Sequence, residues 1–236
     1  MKKYCCFILC LLTIGCSNPS KDPLRNFIGS YRNYFITKGK VVGKKYNETY
    51  YSPNKVFSVG VRLSRPGAIV KDTFRKDFGK NKDYEYNVGT VSFMDDFGRF
   101  YRIDAFELPE KHDFSKEQLK ILFDGLFMEY EMGLYRELDP NAKILYKNYL
   151  DIDGTHIGYY VVYLANGSTY SSNGRRVDVF RSSFVFFKNN YAYVVSNQYR
   201  NEDTRKPALE LNDEVIKKIQ EELTKIYKTM KFNNEI

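Results

Sequence analysis

The chain has 236 residues, 43% of them apolar and 28% charged, with a formal net charge of +8. That composition belongs to folded globular chains and excludes the weakly hydrophobic, highly charged signature of disorder; the length suits one domain plus a leader. The basic surplus favours anionic partners such as lipid headgroups, but Lys and Arg are spread along the chain, and no finger spacing, basic zipper or RNA-recognition signature marks a nucleic-acid reader.

Met1, Lys2 and Lys3 give a positive start, and Tyr4 to Ile14 is a short apolar run with one threonine. This pattern predicts a secretory leader over residues 1–15, too short for the roughly 20 residues that a spanning helix needs. No later segment is long enough, so no transmembrane helix is expected in the mature protein. Thr13 and Gly15 supply the small residues that a signal protease requires before Cys16. The string "LTIGC" resembles a bacterial lipobox, although Leu is usual where Thr13 stands. That resemblance implies lipid attachment at Cys16, and Ser17 in place of Asp implies the outer membrane, facing the periplasm. Residues 16–26, with "SNPSKDP", form a polar tether containing two prolines.

The cysteines are Cys5, Cys6, Cys10 and Cys16, so the body carries no disulfide, thiolate metal site or cysteine nucleophile. Residues 27–236 are expected to form a single α+β domain. From Phe27 to Tyr51 no period is sustained, and an irregular lead-in with one strand is expected. "KVFSVGVRL", residues 55–63, alternates at period two until "SRPG" breaks it, which predicts a strand. Residues 86–108 hold two β-rich runs around Asp95, Asp96, Phe97 and Gly98, the pattern of a hairpin.

The period then changes. Ser115 and Gln118 make a capping box, Phe114 is placed to staple onto Leu119, and Leu119, Leu122, Phe123, Leu126, Tyr130 and Leu134 mark one face of a helix. Four β-rich runs follow, with turn signals at Asp153-Gly154, Asn173-Gly174 and Asn189-Asn190, which predicts an antiparallel meander. Residues 159–164 and 183–187 are apolar on both faces, as in strands covered on both sides. Ile216, Ile219, Leu223, Ile226 and Met230 then define a terminal helix behind an Asn212 or Asp213 cap.

The predicted fold is thus α+β, an antiparallel sheet of about six to seven strands flanked by helices. This order of elements, over residues 50 to 232, resembles the PsbP-like α/β/α sandwich shared by a photosystem II subunit and bacterial lipoproteins of the DcrB type. The resemblance implies a largely non-enzymatic role in binding or assembly, and fold alone does not decide function.

The sharpest local motif is "DIDGT", Asp151 to Thr155, which looks like the nucleophile motif of haloacid-dehalogenase-type phosphotransferases. The resemblance makes Asp151 the nucleophile and Asp153 the acid/base. That chemistry also needs a following helix and further motifs. Here the next residues read as strand, only a late Lys206 is available, and a hairpin turn at Asp153-Gly154 is the simpler reading. The same string fails as a calcium loop because its glycine falls too early and no bidentate Glu follows.

Asp95 and Asp96 read as turn formers in preference to metal ligands, and His112 and His156 as surface residues. Asn47-Glu48-Thr49 and Asn166-Gly167-Ser168 match glycosylation acceptors that a bacterial lipoprotein seldom uses. No cofactor, metal site or catalytic residue is expected. The 21 Tyr and 18 Phe share A/T-rich codons with Lys, Asn and Ile, which explains their abundance by genome composition. The alternative is an aromatic-lined pocket for a small ligand. The expectation is a lipid-anchored envelope protein acting as a binding or assembly accessory on an envelope protein or anionic lipid. A small-ligand carrier and a phosphotransferase using Asp151 and Asp153 are the alternatives.

Overall fold

The computed structural model describes residues 40–43, 48–52, 56–61, 69–78, 85–94, 100–108, 113–170, 176–200 and 210–232. Cys16 with the expected leader and tether, Asn47, Asp95, Asp96, His112, Asn173-Gly174 and Lys206 lie outside these residues.

Eleven strands are described: β1 (Lys40–Gly43), β2 (Glu48–Tyr51), β3 (Phe57–Val61), β4 (Ile69–Phe78), β5 (Glu85–Met94), β6 (Phe100–Glu107), β7 (Lys143–Ile152), β8 (Thr155–Tyr170), β9 (Arg176–Lys188), β10 (Tyr191–Arg200) and β11 (Lys231–Phe232). The helical elements are α1 (Lys116–Leu126), a π-helical turn (Phe127–Glu131), α2 (Met132–Leu138) and α3 (Asp213–Thr229). The main sheet runs β1-β4-β5-β6-β10-β9-β8-β7, antiparallel throughout, and a second sheet runs β11-β3-β2.

The class is the expected α+β, but the main sheet has eight strands where six to seven were expected, and β3 belongs to the small sheet. The sequence hides β4 because its apolar residues Ile69, Val70, Phe74 and Phe78 do not alternate. At two residues, β11 is too short to leave a periodic signal.

Strand alternation gives the main sheet two buried faces. On one face, Ile157, Tyr159 and Val161 of β8, Phe184 and Phe186 of β9, and Tyr193 and Val195 of β10 pack with Ile219 and Leu223 of α3 and Phe57 and Val59 of the small sheet. On the other, Tyr160, Val162 and Leu164 of β8 and Ala192 and Val194 of β10 meet Phe123, Phe127, Tyr130 and Tyr135 of the α1-π-α2 layer. Strands β8 and β9 are buried on both sides, as their doubly apolar sequences require.

Local signals set the ends of these elements. Ser115 caps α1 in a full capping box with Gln118, and Asn212 caps α3 by accepting from the Val215 N–H. Asp153 and Gly154 have φ of 50° and 76°, and Asn189 and Asn190 have 50° and 65°. Positive φ at both central residues is the two-residue turn whose twist matches a hairpin. Ile152 pairs with Thr155, and Lys188 with Tyr191.

Gly158 on β8 lies where α1 touches the sheet. A Cβ there would stand 2.9 Å from the Tyr160 ring and 3.0 Å from the Phe123 Cβ. Tyr160 cannot yield freely, since its ring stacks on Phe127 at 4.0 Å and its hydroxyl donates to Asp124 at 2.7 Å. Gly158→Ala is therefore expected to lower unfolding free energy by about 1–3 kcal/mol, the usual cost of overpacking, read from urea midpoints. An unchanged midpoint would show that α1 is not held this closely.

Candidate functional site

The helix-covered face of the main sheet is not uniformly apolar. Cross-strand register puts Phe100, Gln198, Arg181 and Val162 in one row, Arg102, Ser196, Ser183 and Tyr160 in the next, and Thr90, Asp104, Val194 and Val185 in a third. Polar side chains thus occupy the middle of a face that is apolar on either side. The π-helical turn lies over them and carries Glu131, with Tyr130 beside it and Tyr135 on α2. Such turns insert one residue into a helix and are frequent at functional sites. Here the Met132 N–H donates to the Phe127 carbonyl, and Glu131 is fully buried.

Arg102 joins the layers. Its Nε–H donates to Asp104 Oδ2 at 2.8 Å, and its Nη2 pairs with Glu131 Oε1. Asp104 Oδ1 accepts from the Thr90 hydroxyl at 2.6 Å. Both carboxylates are 0% exposed, whereas Arg102 retains 21%, and its guanidinium also lies 5.4 Å from the Tyr130 ring centre. Burial opposes the Arg102 charge, but Asp104 and Glu131 together more than offset it and raise its pKa above the ordinary arginine value. Burial pushes the Glu131 carboxyl up, only partly opposed by Arg102.

Burial, then the Glu131 charge, pushes the Tyr135 phenol up, so it stays a donor; its hydroxyl is 3.5 Å from Ser183 Oγ. Arg181 stacks on Phe100, 5.6 Å from the ring centre, and its buried Nε–H has no hydrogen-bond partner. Burial draws its pKa down.

A third carboxylate fastens α1 to the sheet edge. Asp124 accepts from the Tyr160 hydroxyl at 2.7 Å, the Tyr149 hydroxyl at 2.9 Å and Lys147 Nζ at 2.9 Å. With three donors on it, this group is positioned as an anchor. Ser182 is paired with Asn197, and Ser183 faces Tyr135. Neither neighbour is a base that would activate a serine.

The sequence-predicted residues fall elsewhere. Asp153 forms the β7-β8 turn, and Asp151 Oδ2 meets His156 Nδ1 across the hairpin at 3.1 Å, both partly exposed. The motif is followed by antiparallel β8 and not by a helix, so Asp151 and Asp153 are not assembled as a nucleophile and acid/base pair. Among the described residues no group of three or more His, Cys, Asp and Glu is arranged to hold a metal ion, and no helix is long and apolar enough to cross a membrane.

Sequence reading missed the Arg102 cluster because Arg102 and Asp104 alternate with Tyr101, Ile103 and Ala105, as on any half-exposed strand. Glu131 offered one signal: it lies four residues after Phe127 and four before Tyr135, in line with the buried stripe.

Arg102→Met would leave two carboxylates buried without their cation and is expected to cost about 3–5 kcal/mol; Arg102→Met with Glu131→Gln should cost less than the two single changes summed. Because Glu131 titrates higher folded than unfolded, it favours the folded state most at low pH, and that contribution is lost as pH rises from about 4.3 through the folded value. Glu131→Gln should remove this negative slope. Parallel pH–stability curves for the two proteins would refute the assignment.

No family model matches the chain, and no curated protein matches it in sequence. Among solved structures the chain is similar to the solution structure of cyanobacterial PsbP (CyanoP) from Synechocystis sp. PCC 6803. The TM-score is 0.42 at 9% identity, covering 81% of this chain and 95% of that chain. A TM-score at this level carries nothing about site residues, and the layering described above rests on this chain's own register and packing.

Proposed function

We propose that the protein is a lipid-anchored component of a bacterial cell envelope, held by Cys16, tethered through residues 16–26 and facing the periplasm from the outer membrane. In this reading the α+β body works as a non-enzymatic binding or assembly accessory. The observation that carries the anchor is "LTIGC" after a short apolar run, in a chain whose four cysteines all lie in its first 16 residues. A cysteine with no structural partner in the body is best explained by chemistry of its own. A lipoprotein modification supplies more than one acyl chain, which is what stable anchoring requires.

Two features support an accessory over the alternatives. The aromatic side chains are each other's packing partners, as in Phe127–Tyr160 and Phe186–Tyr193, stacked at 4.0 and 5.1 Å, which favours a core role over a ring-lined carrier pocket. The hairpin at Asp153-Gly154 likewise gives no support to a phosphotransferase. Lys2 and Lys3 leave with the leader, so the mature chain keeps a net charge of 8 − 2 = +6, which favours an anionic lipid or an acidic envelope protein as partner.

Intact-mass analysis of the protein purified from membranes should show a lipid adduct on Cys16, and Cys16→Ala should move it from the membrane to the soluble fraction. An unmodified mature N-terminus, or membrane association unchanged in the variant, would sink the anchor.

A further inference from the structure

The two arginines of the buried cluster are treated differently. Arg102 is saturated, holding one carboxylate on β6 and another on the π-helical turn. Arg181, one row along the same face, has Phe100 against its guanidinium, and its buried Nε–H finds no acceptor. A buried guanidinium donor without an acceptor is costly, and its planar fork matches the two oxygens of a carboxylate. Its surroundings supply further hydrogen-bonding groups. Gln198, buried, pairs directly across from it on β10, and Ser183 follows two residues on, with its Oγ 3.5 Å from the Tyr135 hydroxyl.

We propose that Arg181, with Gln198, Ser183 and Tyr135 beside it, is a binding site for a single carboxylate group on a small ligand. A planar monoanion suits it better than a phosphate dianion, because the buried carboxylates of Asp104 and Glu131 belong to the same cluster and repel each added negative charge. The groups acting on Glu131 are Arg102 and Asp104 of β6, Arg181 of β9 and Tyr135 of α2. With Glu131 ionised, the two arginines and two carboxylates cancel. A bound carboxylate is then accommodated by a proton on Glu131, so binding strengthens as pH falls, by up to about tenfold per unit. The site concerns the body alone and stands or falls independently of acylation at Cys16.

The test is Arg Nε–Hε NMR on the full-length, 15N-arginine-labelled protein, titrated separately with acetate, phosphate and chloride at matched ionic strength. The Arg181 resonance is identified by its loss in Arg181→Lys. Acetate should shift it saturably, with tighter binding at lower pH, and phosphate and chloride should not; Glu131→Gln should flatten the pH dependence. If Arg181→Lys does not fold, Gln198→Leu and Ser183→Ala keep the charge, and each should weaken acetate binding several-fold. No saturable shift with acetate, an equal shift with chloride, a larger one with phosphate, or undiminished acetate affinity in both of the latter variants would overturn the assignment.

Discussion

Strands β8 and β9 are apolar on both faces, and much of the architecture follows from the need to cover them twice. A sheet open on one side would leave either Tyr159, Val161, Phe184 and Phe186 or Tyr160, Val162 and Val185 in water, at about 25 cal/mol for each Å² exposed. The chain supplies two different covers. The α1-π-α2 segment is inserted between β6 and β7 and returns over one face. The terminal helix α3 closes the other together with the β11-β3-β2 sheet, where the Gly60 N–H donates to the Thr229 hydroxyl at 3.0 Å. Each cover is amphipathic, and neither has a reason to form without the sheet beneath it.

The two covers are fastened in different ways. On the α3 side the contacts are mostly apolar and aromatic, with the Tyr159 hydroxyl reaching the Ile216 carbonyl at 3.1 Å. On the α1-π-α2 side the layer is pinned by charge: Asp124 to Lys147, Tyr149 and Tyr160, and Glu131 to Arg102. A buried ion pair is a poor source of stability compared with an apolar replacement, because desolvation consumes much of the Coulomb gain. What it supplies is position. The π-helical turn sets where Glu131 sits over β6, and a shift of one residue would separate Glu131 from Arg102. Polar groups kept at such cost in the middle of a covered sheet make this face, and not the hairpin, the place where recognition is best sought.

The hairpin shows how local and global readings part. "DIDGT" carries two carboxylates at the spacing of a known nucleophile motif, yet Asp153 and Gly154 both take positive φ and simply reverse the chain. The same residue types meet two physical demands, and the following strand decides between them. The two carboxylates that engage Arg102, Asp104 and Glu131, belong to no recognisable string, since 27 positions of sequence separate them. Arg102 shares β6 with Asp104 and meets Glu131 only because the π-helical turn lies over that strand, and Arg181 comes onto the same face because β10 lies between β6 and β9 in the main sheet.

Whatever depends on neighbours within a turn or a strand is legible in the chain's local pattern. The capping box at Ser115, the Asn212 cap, the apolar stripe of α3, the turns at Asp153-Gly154 and Asn189-Asn190 and the two-sided burial of β8 and β9 are all legible, because 3.6- and 2-residue periods and positive φ are local constraints. Tertiary structure alone decided that β6 pairs with β10, that β4 joins the sheet despite lacking alternation, and that β3 leaves for a second sheet with β11. It also decided which polar residues are buried: Arg102 and Asp104 look like the wet face of a strand until the π-helical turn is laid over them. Pairing of distant strands and desolvation of charge depend on what arrives from elsewhere in the chain, and a local pattern cannot encode that arrival.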